Sequence, residues 1–413
     1  MVDSFFPPPT QPHHPALLRK SFEAGRIRGT AEDILEKVFA QPHKGASVLS
    51  KELRNARHLH SRERKFVSDG LYALIRYHSL LERVLHTRNF AAWWDSWLQW
   101  QGFDGLETVG PDLEGAARSL RETQSIKESF QTLSGFRKPI ANALVDSLGD
   151  DCWAFLKASN QKGPVVLRVN PKKASRKTVQ RALGEHHIET QEISDLPLAL
   201  KVVGSANLHG QHSYQKGWFE IQDAGSQRLA QLAGPLHGTV IDYCAGAGGK
   251  TLALAASGPA TTRFTACDVR ESALKELKKR ARRAGIADRV RTHILPATQL
   301  DTADTVFVDA PCTGLGTLRR TPTLRLRLDA DELVRIEQLQ KQILGEAKAL
   351  VNPGGRLVYG TCSVLHHENE DITDWFLAHA PEFQIARATK PLKQSPHEHD
   401  TDGFYGVIFE RRD

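Results

Sequence analysis

The feature that most constrains this sequence is a regular alternation of strand-like and helix-like segments that begins at Gly238. Short apolar runs with strand character separate longer amphipathic segments, a pattern typical of an α/β domain. The predicted strands are 239–242, 263–267, 290–295, 305–308 and 356–359, and the predicted helices are 252–256, 272–284 and 331–350. Two final runs, 383–386 and 404–409, predict a hairpin-like pair of strands. The pattern predicts a doubly wound, mostly parallel sheet that this pair closes.

Two cysteines directly follow predicted strands. Cys312 lies in the segment Asp309-Ala-Pro-Cys-Thr-Gly-Leu-Gly, and Cys362 lies in Tyr359-Gly-Thr-Cys-Ser. The carboxyl ends of parallel strands share one edge of a sheet, where ligands of open α/β sheets bind. A single free cysteine is most often a small buried hydrophobe. A pair at strand ends, one of them beside Asp309 and Pro311, instead favours a reactive site with both thiols.

A glycine-rich loop follows the first strand of the α/β domain. Residues 245–251 read Ala-Gly-Ala-Gly-Gly-Lys-Thr, and such glycines let the backbone and a helix amino terminus approach a ligand. Asp268 follows Gly246 by about 20 residues, the spacing at which a carboxylate meets ribose hydroxyls. The loop lacks the third spaced glycine of a dinucleotide site, and Cys244 stands where a P-loop needs glycine. We therefore expect S-adenosyl-L-methionine, which carries a ribose but no phosphate, rather than NAD or ATP.

The first 150 residues carry a different pattern. Residues 1–20 include a proline-rich stretch and are predicted to be a disordered tail, and residues 21–150 are predicted to form a helical domain. Four tryptophans repeat at roughly helical spacing, namely Trp93, Trp94, Trp97 and Trp100. They could form a stacking surface for bases. The core interpretation is favoured, because aromatic stripes on amphipathic helices usually face inward.

A small α+β subdomain is predicted over residues 160–232, which leaves 233–413 for the α/β domain. Its elements are a strand at 165–169, a basic helix at 175–183 and an extended stretch at 196–203. Positive charge is concentrated at its start, on Arg168, Lys172, Lys173, Arg176 and Lys177. A solvated basic face and an RNA contact are both compatible with this cluster.

Composition narrows the class of partner. The formal net charge is +7 and the isoelectric point about 9.1, a moderate excess that favours a polyanionic partner without proving one. The five cysteines are widely spread and form no C-x-x-C pair, which argues against a disulfide framework or a zinc site and for a reducing cytoplasm. No apolar run approaches the ~20 residues that a membrane helix needs.

Taken together, the motifs resemble the RsmB/Nop/Sun family of RNA cytosine-5 methyltransferases, from about Val165 to the carboxyl end. The segments that carry the resemblance are Gln222-Asp-Ala-Gly-Ser226, Asp242-Tyr-Cys-Ala-Gly-Ala-Gly-Gly-Lys-Thr251, Asp309-Ala-Pro-Cys-Thr-Gly-Leu-Gly316 with Arg319-Arg320, Tyr359-Gly-Thr-Cys-Ser363 through Glu368-Asn-Glu370, and Asp402-Gly-Phe-Tyr405. The helical domain resembles the NusB-like RNA-binding domain of bacterial members around 62–85. The resemblance implies a class I S-adenosylmethionine-dependent methyltransferase domain, with a Rossmann-like doubly wound sheet, over 233–413.

The resemblance also implies an activity and roles for named residues. The expected reaction transfers a methyl group from S-adenosyl-L-methionine to carbon 5 of a cytosine in RNA. Cys362 is implied as the nucleophile, Cys312 as the thiol that assists release, Asp309 as a hydrogen-bond partner of the cytosine ring, and Lys250 as a contact of the cofactor loop or the target nucleotide. The expected cofactor-binding residues are Cys244, Ala245, Gly246, Ala247, Gly248, Gly249, Lys250, Asp268 and Asp309.

The NusB-like resemblance makes small-subunit (16S) ribosomal RNA the expected substrate. A transfer RNA methyltransferase and a non-catalytic RNA-binding or ribosome assembly factor remain the alternatives. We expect a cytoplasmic monomer that binds RNA and needs neither a membrane nor a metal. Arg319, Arg320 and the basic segment 278–283 are candidate phosphate contacts, although the latter is also compatible with a solvated helix face.

Three departures from the family pattern stand out. The usual Ala-Ala-Pro-Gly-Gly-Lys loop here begins Ala245-Gly-Ala. The acid that family members often carry near the adenine is replaced around Pro296-Ala297. Thr321-Pro-Thr stands where the family usually has Asn-Pro-Asp.

Overall fold

The computed structural model describes residues 25–103, 112–296 and 300–412. Within them the chain forms two compact units. The first contains the described residues up to Lys162 together with Leu318–Leu333, and the second contains Gly163–Thr317 and the described residues from Val334 onward. The predicted tail over 1–20 lies outside the described residues, as does Ala297.

The amino-terminal part of the first unit is helical. Its helices are α1 (Arg26–Ala40), α2 (Gly45–Asn55), α3 (Ser61–Leu85), α4 (Phe90–Trp100), α5 (Leu113–Thr123), α6 (Ile126–Ser134), α7 (Lys138–Leu148) and α8 (Cys152–Ser159). Trp93 and Trp94 on α4 are fully buried and Trp97 is nearly so. The Trp93 ring packs edge-on against Phe39, the Trp94 ring packs edge-on against Phe66, and the Trp97 ring is tilted against Phe66. The core interpretation is therefore confirmed for these three tryptophans.

The second unit begins with a four-stranded antiparallel sheet of order β2-β3-β1-β4. Its elements are β1 (Val166–Val169), α9 (Arg176–Gly184), β2 (Thr190–Ile193), β3 (Leu196–Val202), α10 (His212–Gln215), β4 (Phe219–Ile221) and α11 (Ala224–Leu232). The sequence analysis missed β2 and β4. Strand β4 has three residues, too few for a periodic pattern, and β2 is an edge strand with no fully buried side chain.

A larger sheet follows, with strand order β10-β12-β9-β8-β5-β6-β7 and β11 paired to β12. In chain order, the elements from here on are β5 (Thr239–Asp242), α12 (Gly249–Ser257), β6 (Arg263–Asp268), α13 (Glu271–Ala284), β7 (Val290–Ile294), β8 (Ala303–Asp309), α14 (Leu324–Arg327), α15 (Ala330–Ala347), β9 (Val351–Thr361), α16 (Glu370–His379), β10 (Phe383–Ile385), β11 (Leu392–Gln394), α17 (Pro396–His399) and β12 (Phe404–Arg411), of which α14 lies in the first unit. Strands β7, β6, β5, β8 and β9 are parallel neighbours, whereas β12 runs antiparallel to β9 and to β10. The predicted fold class is confirmed.

The core explains why the strands read as continuous apolar runs. Side chains of successive residues pack into different clusters: Val240 and Phe307 belong to one cluster, and Ile241 and Val306 belong to another. A parallel sheet covered on both faces requires apolar residues at consecutive positions. The same arrangement brings the carboxyl ends of β5, β6, β8 and β9 to one edge.

The segment Leu318–Leu333 packs with the amino-terminal helices, although the predicted boundaries put it in 233–413. Arg325 is 1% exposed, and its guanidinium donates to the Ser134 carbonyl at 2.7 Å and to Asn160 Oδ1 at 2.6 Å. None of the described helices combines the length and apolar character needed to cross a membrane.

Candidate active site

The glycine-rich loop connects β5 to α12. Gly246 has a φ of +53° and Gly248 a φ of +84°, in the left-handed region that favours glycine. A Cβ on Gly248 would lie 2.5 Å from the Leu277 side chain, so this turn is also closely packed. By contrast, apart from its chain neighbours and the backbone of its own helix, no described atom lies within 4 Å of the place where a Cβ on Gly249 would be. The loop is therefore tight on its inner side and open at the first turn of α12.

Asp268 ends β6 and reaches back to this loop. Its Oδ2 accepts the Gly246 N–H at 2.8 Å, and its Oδ1 accepts the Arg270 N–H at 2.8 Å and Arg270 Nε at 3.1 Å. Burial opposes ionisation, but the hydrogen bonds from Arg270 and Gly246 outweigh it and lower the pKa of Asp268. The carboxylate thus lies at the loop, with Arg270 as a partner that the sequence analysis did not foresee.

Asp242, at the end of β5, is a candidate that the sequence analysis missed. Its side chain is fully buried, and Thr251 Oγ1 donates to its Oδ2 at 2.6 Å. Its Oδ1 is buried and accepts no hydrogen bond from the described part of the chain. Burial raises the pKa of Asp242 to about 7, and the charges of Asp309 and Asp268 add to the effect. Its position in the sequence could have indicated this, because Asp242 is the last residue of β5 before the glycine-rich loop.

This shifted group predicts a pH-dependent stability. The folded pKa of Asp242, about 7, exceeds the ~3.9 of an unfolded aspartate, so its protonated form stabilises the fold below about pH 4. That contribution is lost as the pH rises towards 7. We expect Asp242→Asn to remove this loss of stability at high pH. Its free energy of unfolding should exceed that of the parent protein by ~1–4 kcal/mol at pH 8, but not at pH 4. Urea unfolding at both pH values measures this, and an equal difference at pH 4 and pH 8 would contradict it.

Lys250 and Asp309 form an ion pair at the same sheet edge. Lys250 Nζ donates to Asp309 Oδ2 at 2.5 Å, and the Lys250 side chain is 12% exposed. Burial disfavours the charged amine, but the Asp309 carboxylate outweighs it, aided by Cys362 and Asp242, and the pKa of Lys250 is raised. Lys250 therefore stays charged, and it lies close enough to Cys362 to interact with that thiol electrostatically.

The two thiols lie together. Cys312 Sγ is 3.2 Å from Cys362 Sγ, and both side chains are partly exposed. The hydrogen bond with Cys362 raises the pKa of Cys312 well above its usual range, and burial and the charge of Glu368 act in the same direction. Either thiol can donate in this contact. The loops themselves touch, because the Gly316 N–H donates to the Cys362 carbonyl at 2.9 Å.

The remaining predicted loop residues belong to the same cluster. Burial raises the pKa of Cys244 well above its usual range, and the carboxylates of Asp242, Asp309 and Asp268 raise it further. The Ala245 N–H donates to the Cys267 carbonyl at 2.8 Å. The carboxyl edge of one sheet therefore holds the glycine-rich loop, the carboxylates of Asp268 and Asp309, the Lys250 amine and the two thiols of Cys312 and Cys362.

Residues of the small sheet brace the loop, and two arginines of the basic segment 278–283 take part, whereas Lys278, Lys279 and Arg282 are exposed. Arg280 donates to the Ala247 carbonyl at 2.7 Å and to Glu220 at 3.0 Å, and Arg283 pairs with the same carboxylate. Gln222 donates to the Gly249 carbonyl at 3.2 Å. Arg168 is buried and donates to the Leu252 carbonyl, and burial lowers its pKa to about 10. Arg168 and Arg280 thus hold backbone carbonyls at the loop and at α12, and Arg283 holds the Glu220 carboxylate.

Arg319 does not lie in a free basic patch. It is 5% exposed within the first unit, where it donates to the Lys162 carbonyl at 3.3 Å. Its backbone carbonyl accepts from Arg76 at 3.1 Å.

Two family models match different parts of this chain. Residues 230–410 match the family described as 16S rRNA methyltransferase RsmB/F, and residues 140–209 match a ferredoxin-like domain of RsmF/B-like methyltransferases. The ferredoxin-like match overlaps the four-stranded antiparallel sheet through β1, β2 and β3.

Among curated proteins, the ribosomal RNA small subunit methyltransferase B of Vibrio vulnificus is 30% identical over 321 residues, which are 73% of this chain and 75% of that protein. The probable ribosomal RNA small subunit methyltransferase B of Synechocystis is 33% identical over 268 residues, 60% of each chain. The crystal structure of the protein PH0851 matches 93% of this chain and 98% of its own, with a TM-score of 0.72 at 24% identity. That last likeness supports the fold alone.

Proposed function

Because the chain belongs to the RsmB/F family of 16S rRNA methyltransferases, we propose that it methylates carbon 5 of a cytosine in small-subunit ribosomal RNA with S-adenosyl-L-methionine as methyl donor. The observation that carries the proposal is the pair of thiols, 3.2 Å apart, at the carboxyl edge of the sheet that also holds the glycine loop. We further propose that the helical unit is NusB-like and adds RNA affinity, and that the protein acts as a monomer in the cytoplasm, where its substrate is made.

The residues at the loop fit the methyl donor. The buried Asp242 Oδ1 without a described partner can accept from a cationic or N–H group, and the open side of Gly249 leaves room for a ligand. Asp268, whose carboxylate accepts from Gly246 and Arg270 at the loop, is the residue that would hold the ribose hydroxyls. Val269, next to it, is an apolar side chain left 69% exposed, which suits a base-stacking role. When bound, the donor supplies an electrophilic methyl group on a sulfonium centre.

The chain's own residues supply the activation of cytosine. Carbon 5 of the ring is too weak a nucleophile by itself, and a thiolate that adds to carbon 6 makes it enamine-like. Cys362 forms this sulfur–carbon bond, and the electron pair of the ring double bond moves towards carbon 5. Asp309, held by Lys250, is proposed to hydrogen-bond the ring as charge develops on it. The target base has to leave any helix to reach this edge.

Release of the product assigns a role to the second thiol. After methylation, carbon 5 must lose its proton so that the bond between carbon 6 and Cys362 Sγ can break. We assign assistance in that proton removal to Cys312, whose Sγ is 3.2 Å from the attacking sulfur. Cys312 first passes its own proton to solvent, and the resulting thiolate takes the carbon-5 proton. The electrons of that carbon–hydrogen bond re-form the ring double bond and expel Cys362 as a thiolate.

The proposal predicts that Asp268→Ala weakens binding of S-adenosylmethionine by roughly 10- to 100-fold, since each hydrogen bond to a charged group contributes about 1.5–3 kcal/mol. Calorimetric titration measures this. Asp304→Ala is the matched control, because Asp304 accepts the Thr239 N–H at 2.8 Å at the opposite end of β5. Unchanged affinity in Asp268→Ala would remove Asp268 from the site. A parent protein that binds no S-adenosylmethionine would instead support a non-catalytic RNA-binding factor.

A further inference from the structure

One buried carboxylate joins the two cysteine loops. Glu368 is 1% exposed and lies in a short helical turn, His366–Glu368, before α16. Its Oε1 accepts the Thr313 N–H at 2.7 Å, and its Oε2 accepts Thr313 Oγ1 at 2.6 Å and the Ser363 hydroxyl. Thr313 directly follows Cys312, and Ser363 directly follows Cys362. A single side chain therefore ties the residue after one thiol to the residue after the other.

The carboxylate is itself held in place. The Tyr359 hydroxyl, at the end of β9, donates to the Glu368 carbonyl at 2.6 Å. The next residue, Asn369, accepts from Thr361 Oγ1 at 2.6 Å and donates to the Ser363 carbonyl at 3.2 Å. Gln340 on α15 donates to the Pro311 carbonyl at 2.9 Å and to Glu368 Oε1 at 3.4 Å. The bridge is thus anchored to a strand and a helix rather than to a free loop.

We propose that Glu368 is a positioning residue that sets the separation of the Cys312 and Cys362 thiols, which deepens the function proposed above and rests on it. The attacking and releasing thiols must both reach the same ring, one at carbon 6 and the other near carbon 5. A misplacement of about 1 Å at such a site costs on the order of 100-fold in rate. Burying a carboxylate costs free energy even when several donors hydrogen-bond to it. Stability alone does not require such a group, because apolar groups of similar size can fill the same space.

The separation can be measured without RNA or methyl donor. Diamide, an azo oxidant, takes two electrons and two protons from a pair of thiols and leaves a disulfide. Peptide mapping of the parent protein should show a Cys312–Cys362 link that forms rapidly. In Glu368→Ala the link should form roughly 10- to 100-fold more slowly, because the loops are no longer joined. Glu368→Gln should stay close to the parent rate, since its amide can still bridge Thr313 and Ser363.

Two further variants keep the test decisive. Ser363→Ala removes the hydroxyl that donates to Glu368 on the Cys362 side, together with its longer contacts to Thr313 and Leu365, and should give an intermediate rate even if Glu368→Ala folds poorly. Asp304→Ala removes a hydrogen-bonded carboxylate at the other end of β8 and should leave the rate unchanged. Parent-like rates in folded Ser363→Ala and Glu368→Ala would overturn the proposal, as would equal slowing in Asp304→Ala.

Activity gives a second, separable readout. Glu368→Ala should lower kcat and leave the affinity for S-adenosylmethionine unchanged, because Glu368 contacts neither the glycine loop nor Asp268 among the described residues. A loss of both together would indicate a merely structural role. A parent protein that forms the disulfide rapidly but methylates no RNA would refute the proposed function and leave the positioning role of Glu368 standing.

Discussion

Replacing Cys362 with alanine is expected to abolish methyl transfer and to leave binding of S-adenosylmethionine intact. Its Sγ is the only atom proposed to form a covalent bond with the cytosine. We therefore expect kcat to fall by at least roughly a thousandfold, which is the scale of effect seen when a covalent nucleophile is removed. Steady-state incorporation of a labelled methyl group into RNA measures the effect, and calorimetry with the donor checks the binding site.

A matched control separates chemistry from folding. Cys152 is a fully buried cysteine of the helical unit, and Cys152→Ala should keep most of the activity despite a small cavity. Activity in Cys362→Ala above about a tenth of the parent value would exclude Cys362 as the nucleophile.

Replacing Cys312 with alanine is expected to trap the enzyme on its RNA. Attack needs one thiolate, whereas expulsion needs removal of the carbon-5 proton, so the variant should attack and then stall. Denaturing gel electrophoresis with labelled RNA should show a slowly migrating species for Cys312→Ala and none for Cys362→Ala or the double variant.

The competing interpretation is that Cys312 only fills the turn after Pro311. Its replacement would then lower stability by ~0.5–3 kcal/mol and trap nothing. A trapped species in Cys362→Ala instead would invert the two roles.

Much of this site could be predicted because parallel strands impose it. Asp309 ends β8, and Cys312 and Cys362 follow β8 and β9, whose pairing is set by apolar runs, so their shared edge follows from the topology. The roles of Gly246 and Asp268 follow from the number of residues between the glycine-rich turn and the end of the next strand. In each case a local pattern along the chain determines the position.

The parts that were missed depend on contacts between distant residues. Glu368 contacts Thr313, 55 residues away, and Glu220 contacts Arg280, 60 residues away. Neither pairing has a local pattern, and a charged residue in isolation is most often exposed, so the sequence did not indicate that Arg280 binds a buried carboxylate. The packing of Leu318–Leu333 with the helical unit likewise has no local pattern, since contacts between distant residues rather than sequence order determine it.

The most direct test of the central claim is to identify the methylated atom. Purified protein, S-adenosylmethionine carrying a labelled methyl group and unmodified 16S ribosomal RNA are incubated, and the RNA is digested to nucleosides for mass spectrometry. The account predicts label in 5-methylcytidine, present with the parent protein and absent with Cys362→Ala. Label in any other nucleoside, or in 5-methylcytidine with Cys362→Ala as well, would contradict it.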